Sequence, residues 1–176
     1  MSRVPYLDGS DPALADVSAR ISAGRRGKLI NVYRLLLHSP ALAQTWFEHL
    51  NAVRWKTGLT GRLREIVIIR IALINRVEYV ISQHVPNLAR PEGVSDAECA
   101  ALDDWRASPM FSAAERAVLA YADAMTTEVA VPDDVFAELR KHFDSRAIVE
   151  LSVLIGTYNI HNRVMQALEI DLEDKR

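Results

Sequence analysis

Cysteine is almost absent from this chain: Cys99 stands alone among 176 residues. One thiol excludes a disulfide framework within a subunit and any intramolecular dithiol, and it points to a reducing compartment. Glycine and proline are scarce, at 7 each, which excludes collagen-like and low-complexity arrangements. Excess charge of one sign is lacking too. The formal net charge is −2 with both signs interspersed, so no domain-wide positive field draws the chain to nucleic acid or anionic lipid. Long hydrophobic runs are missing: the longest, Ile66 to Ile74, is split by Arg70 and falls well short of the roughly 20 residues that span a bilayer. Met1 to Tyr6 carries no apolar signal core. The expectation is a cytoplasmic protein with neither a nucleic-acid nor a membrane partner. Also missing are Gly-x-Gly-x-x-Gly, His-Glu-x-x-His, Gly-x-Ser-x-Gly and Cys-x-x-Cys, and with them the common nucleotide, zinc, serine and dithiol chemistries.

What is present is an ordinary globular composition, 49% hydrophobic and 25% charged, in a length that suits a single domain over 1–176. Its periodicity is helical throughout. Asp11-Pro12 opens a helix that Gly24 closes. Ser39-Pro40 opens another, with Leu42, Trp46, Leu50 and Val53 as one apolar stripe. Thr60 to Ile74 is apolar except for Arg62, Arg64, Glu65 and Arg70, and without alternation it reads as a helix buried on most faces. Ser95 with Glu98 and Ser112 with Glu115 form capping boxes that fix two helix starts. A shorter helix follows Pro132 with Phe136, Leu139 and Phe143 inward, and Asp144 caps a last long one, Ser145 to about Leu168, in which Gly156 marks a cost or a close contact. No strand pattern or repeat occurs, so the fold class is all-α, with about seven or eight helices.

The segment most able to carry chemistry runs from Arg64 to His84, where ionisable residues sit in oily sequence and need partners or shifted pKa values. Asn75 reads as a break, placing Glu65 on one helix and His84 about two turns into the next, so that an antiparallel hairpin brings them face to face. On the residues alone, a structural ion pair for Glu65 and a satisfied core histidine at 84 carry more weight than a catalytic pair. The basic cluster from Arg25 to Lys28 reads as a solvated turn, and His38, His49 and His142 as helix-terminal or solvated side chains. Glu65, His84 and His161 lack tight ligand spacing, so neither a metal nor another cofactor is expected.

These residues resemble the carboxymuconolactone decarboxylase and alkylhydroperoxidase D superfamily. The match comprises Arg64-Glu65, the apolar run Ile66 to Ile74, Tyr79 through His84, Gly93 to Glu98 (Gly-Val-Ser-Asp-Ala-Glu) and Asn162-Arg163 near the end of the last helix, spanning about residues 35–170. The resemblance implies an AhpD-like helical bundle with a central antiparallel hairpin. Its peroxidase branch works through Cys-x-x-Cys-x-x-x-His, and counting back from His84 those cysteines fall on Val77 and Val80. A valine methyl never becomes the thiolate that peroxide reduction needs, so that activity is disfavoured. In its lactone decarboxylase branch Tyr-Glu-Trp often precedes the histidine; Tyr79 is kept here, with Val80 and Ile81 in place of the other two, which favours a less polar substrate.

The resemblance implies decarboxylase (lyase) or lactone-processing acid–base chemistry on a small, aromatic-derived organic acid or lactone. In it His84 transfers a proton, Glu65 sets its tautomer, Tyr79 donates a hydrogen bond, and Arg70 or Arg163 holds a carboxylate. The alternative is a non-catalytic ligand-binding or scaffold member. The apolar helix 60–74 and the stretch Ile148 to Ile155 suggest self-association, and the resemblance implies a homotrimer or homohexamer.

Overall fold

A computed structural model describes residues 1–25 and 27–173. Arg26 of the basic cluster and the last three residues of the 1–176 domain lie outside the described residues. Among those described there are nine α-helices and no strand: α1 (Ala15–Ala23), α2 (Asn31–Leu36), α3 (Pro40–Trp55), α4 (Gly61–Asn75), α5 (Glu78–His84), α6 (Asp96–Ala101), α7 (Ala113–Thr127), α8 (Asp133–Arg140) and α9 (Ser145–Ala167). The helix that the sequence does not announce is α2. It is six residues long, its N-cap residue Ile30 makes no side-chain cap, and what holds it is burial of Val32, Tyr33 and Leu35.

The other starts follow their local chemistry. Thr60 accepts from the Leu63 amide, Asp144 from the Ala147 amide, and both capping boxes close as read. Helix α4 is the axis of the fold, packed against α5, α7 and α9, while α1, α2 and α3 form an outer layer beside α9. Because α4 is surrounded, Ile66, Val67, Ile68, Ile69, Ile71 and Ala72 are each no more than 1% exposed within one chain. The expectation that helix 60–74 is too apolar for one chain to hide is therefore corrected. Two details of the helix faces also differ from expectation. The buried face of α3 runs through Ala43, Phe47, Leu50, Val53 and Arg54, and Leu42 is 58% exposed. Gly156 makes no close contact, since a Cβ there would meet open space.

Helix α4 ends one residue after Ile74, where Arg76 takes a left-handed conformation with φ 55°. The Val77 amide donates to the Ala72 carbonyl and the Arg76 amide to that of Leu73, a pair of bonds that reverses the chain into α5. At the far end of α5 the helix widens into a π-helical stretch, Val85–Ala89. Pro86 accounts for it: with no N–H and with a ring that crowds the carbonyl of Ser82, it cannot continue the α pattern. His84 is thus the last α-helical residue before a widened turn, and it faces back across the hairpin to α4.

Candidate functional site: a Glu–His pair beneath a cationic cavity

The hairpin brings together the two residues the sequence singled out. His84 Nδ1 lies 2.6 Å from Glu65 Oε2 although 19 residues separate them. Glu65 is 0% exposed and held by three positive or polar groups: His84, Arg54 Nη2 at 3.5 Å and Arg64 Nε at 3.9 Å. Burial pushes the Glu65 carboxyl up, but the hydrogen bond and charge of His84, with Arg54 and Arg64, outweigh it and hold the group below its ordinary range. Burial pushes His84 down, and the Glu65 hydrogen bond only partly opposes it. The resting pair is therefore a carboxylate and a neutral imidazole. A carboxylate only accepts, so Nδ1 donates and Nε2 carries the lone pair. Among the described residues nothing hydrogen-bonds to that Nε2.

The ring of His84 forms part of the wall of a cavity of 510 Å³, between the α1–α2 connection, α3, α5 and α9. That volume suits a small organic molecule. Ile30, Val32, Leu50, Val80 and Leu88 supply an apolar body. Arg25, Lys28 and Arg54 supply positive charge, and no carboxylate lies among the described lining residues. Arg54 is 8% exposed, its Nε is buried without a partner, and its guanidinium lies 4.6 Å from the centroid of the Trp55 ring. Arg25 lies 5.5 and 5.2 Å over the rings of Tyr33 and Phe47 and donates to the Tyr33 hydroxyl at 2.9 Å. The cluster read as a solvated turn thus sends at least one side chain into the cavity wall.

Opposite His84, α9 presents Tyr158 and His161. Tyr158 meets His84 edge-on with ring centroids 5.7 Å apart, and meets His161 at a tilt with centroids 5.8 Å apart. Burial pushes the Tyr158 phenol up to about 12 and, with the charge of His84 and the arginines, pushes His161 down to about 3. Trp46 Nε1 donates to His161 Nδ1 at 3.2 Å.

The remaining expectations fare differently. Tyr79 lines the cavity, but its hydroxyl donates to Glu173 at 2.6 Å, and burial followed by the Glu173 charge pushes its pKa up. As a donor to substrate, Tyr79 is already committed. Arg70 is corrected as a carboxylate binder: it makes paired bonds to Asp123 at 2.7 and 3.1 Å and donates to the carbonyls of Leu102 and Asp103, away from the cavity. Arg163 lies on the far face of α9, where its nearest partner is the Thr126 carbonyl at 3.5 Å. Val77 is buried at the α5 cap and Val80 lies in the cavity wall, whereas Cys99 is buried on α6 with its thiol pushed up by burial. Among the described residues no group of three or more His, Cys, Asp or Glu is placed to hold a metal ion.

Sequence reasoning missed Arg54, Arg25 and the Trp46–His161 pair. One signal was legible: Arg54 continues the spacing of Ala43, Phe47 and Leu50, a cation set in an apolar stripe.

The family model described as "Carboxymuconolactone decarboxylase family" matches residues 40–124, which carry Arg54, Glu65 and His84. The uncharacterized protein YnjA of Escherichia coli (strain K12) is 36% identical over 118 residues, covering 66% of this chain and 64% of its own length. The chain thus spans a little under two thirds of that relative. A crystal structure of a protein of unknown function from Agrobacterium tumefaciens, described as an antioxidant-defence protein AhpD, is 30% identical with a TM-score of 0.75, covering 83% of this chain and 98% of that one. The debrominase Bmp8, solved with 2,3,4-tribromopyrrole, shares the fold with a TM-score of 0.82 at 22% identity, covering 98% of this chain and 94% of its own. The family-model match over residues 40–124, with 30% identity to the Agrobacterium protein over 98% of that chain, makes this all-helical chain a member of the carboxymuconolactone decarboxylase and alkylhydroperoxidase D superfamily.

Proposed function

We propose that the protein is an acid–base enzyme of decarboxylase type acting on a small organic acid, with His84 Nε2 moving the proton and Glu65 holding the imidazole in the tautomer that exposes it. One observation carries the reading: the buried 2.6 Å Glu65–His84 pair opens, through His84 alone, onto a cavity with three cations and, among the described residues, no lining carboxylate. The substrate carboxylate is held by Arg54 and Arg25 in place of Arg70 and Arg163. In a decarboxylation the bond to the carboxylate carbon breaks, CO2 departs and the electron pair passes into an enolate. His84, having taken a proton from solvent as an imidazolium beside Glu65, returns it to carbon. Peroxide reduction fits poorly, because the wall carries Val80 where a thiolate is needed. The debrominase's ligand, a small flat aromatic ring, is of the size this cavity accepts.

The test is ligand charge. Benzoate, phenylacetate and phenylpyruvate are expected to raise the melting temperature, and benzamide is not. At a hundredfold excess over Kd the gain is about 2.7 kcal/mol, several degrees for a chain of this size. Arg54→Gln is expected to remove the shift. An equal shift with benzamide, or none with the acids, overturns the reading.

Self-association, as a homotrimer or homohexamer, is proposed on α9 alone. Val149, Val153 and Ile160 are 61%, 44% and 57% exposed and follow one helical stripe, with Gly156 bare between them, so a second copy of this helix can approach closely. Sedimentation is expected to show an oligomer that Val153→Asp with Ile160→Asp reduces to monomer; a monomeric parent protein removes the proposal.

A further inference from the structure

We propose that His161 is a substrate-contacting hydrogen-bond donor, and that the cavity takes 2-oxo or 3-oxo acids, whose carbonyl oxygen becomes an enolate when a proton or CO2 leaves the neighbouring carbon. The proposal rests on the reading of His84 as the proton-transfer group.

An indole N–H only donates. Trp46 Nε1 approaches His161 at Nδ1, so Nδ1 accepts, and the neutral ring must carry its hydrogen at Nε2. Across the cavity the logic inverts. Glu65 only accepts, so His84 holds its hydrogen at Nδ1 and exposes a lone pair at Nε2. Both rings line the same cavity, and Tyr158 packs against both, edge-on to His84 and tilted to His161. Two imidazoles of opposite tautomer thus face one ligand: one takes a proton, the other gives a hydrogen bond.

A simple carboxylate needs only Arg25, Lys28 and Arg54. A neutral donor beside them matches a second oxygen, one that is uncharged in the substrate and charged in the intermediate. Burial among those cations keeps His161 from becoming an imidazolium, which would protonate an enolate and not merely stabilise it. The apolar walls of Ile30, Leu50, Val80 and Leu88 fit an aryl or alkyl body.

The step balances without an oxidant or reductant. The C–H bond beside the carbonyl breaks and its proton passes to His84 Nε2. The electron pair forms the carbon–carbon double bond, and the carbonyl oxygen becomes the enolate oxygen that accepts from His161 Nε2–H. Reversal returns a proton, and in D2O it returns a deuteron.

The probe is phenylpyruvate in D2O, with loss of its C3 proton signal followed by NMR. The wild-type chain is expected to exchange it faster than buffer does. His161→Phe is expected to lower the enzymatic rate about 100-fold, as loss of one preorganised donor does. His161→Gln, which keeps an N–H donor, is expected to recover most of that loss. In 15N spectra of the wild-type protein, bound phenylpyruvate is expected to shift the Nε2–H of His161 while its Nδ1 stays unprotonated.

Wild-type exchange that His84→Gln abolishes and His161→Phe leaves unchanged, with the His161 resonance unmoved, overturns the donor role and leaves the His84 reading standing. Exchange untouched by His84→Gln overturns that reading and the proposal with it. No exchange above buffer and no histidine shift overturns both. Should His161→Phe fail to fold, the wild-type spectra decide.

Discussion

Glu65→Gln lowers stability by about 3–5 kcal/mol at pH 7, the expected cost of stranding buried cations by removing the carboxylate they share. At roughly 2–4 °C per kcal/mol for a chain of this length, the melting temperature falls by about 6–20 °C. The cost falls on Arg54 more than on Arg64. Arg64 keeps Glu92 at 3.0 Å, whereas Arg54 has Glu65 as its one carboxylate partner among the described residues. Arg54→Met on the Glu65→Gln background is therefore expected to restore part of the loss, a coupling that two independent sites do not show.

The deficit depends on pH in a fixed direction. Glu65 is held below its ordinary range in the folded chain, so the stability it contributes is complete above about 4.5 and is lost as pH falls through the lower folded value. The two buried imidazoles act at higher pH. Both are held below 6.5, so the unfolded chain takes up their protons first and stability falls as pH drops below about 6.5, for His161 down to about 3. Denaturant melts across this range measure both effects. A Glu65→Gln protein within about 1 kcal/mol of the parent at pH 7 shows the carboxylate to be dispensable to the fold.

The hairpin was legible because its determinants are local. Thr60, the run Ile66 to Ile74 and the break at Asn75 lie within one stretch of chain, and helical spacing alone turns Glu65 and His84 towards each other. The capping boxes at Ser95 and Ser112 were legible for the same reason: each closes within three residues. The assignments that went astray depend on distant partners. Arg70 is drawn from any substrate role by Asp123, 53 residues on, and the Tyr79 hydroxyl by Glu173, 94 residues on. Neither pairing has a local signature. The cavity is hidden for a related reason. Its cations come from the α1–α2 connection and the end of α3, its donor from α9, and the Trp46–His161 bond joins residues 115 apart. A sequence shows which residues bear charge but not which remain uncommitted once the helices have packed.

His84→Gln is the counterpart of Glu65→Gln and separates chemistry from folding. The neutral imidazole contributes a proton acceptor and one hydrogen bond, and the glutamine amide still donates to Glu65, so the melting temperature is expected to move by only a few degrees. Proton transfer has no such replacement, because an amide is not a base at neutral pH. Exchange of the phenylpyruvate C3 proton is expected to fall 100- to 10,000-fold. The groups facing His84 set the pH profile: Glu65 and Arg64 from α4, Arg54 from α3, and Tyr158 and His161 from α9. Burial holds the His84 imidazole below 6.5, so kcat/KM for this exchange, in which His84 is the base, stays level in the parent protein as pH falls through 6.5 and declines only below it, where Nε2 becomes protonated. Glu65→Gln removes the one charge that favours the imidazolium, so the decline moves further towards acid. A profile that bends at or above 6.5, or a bend that Glu65→Gln leaves in place, shows that the titrating base is not the buried partner of Glu65.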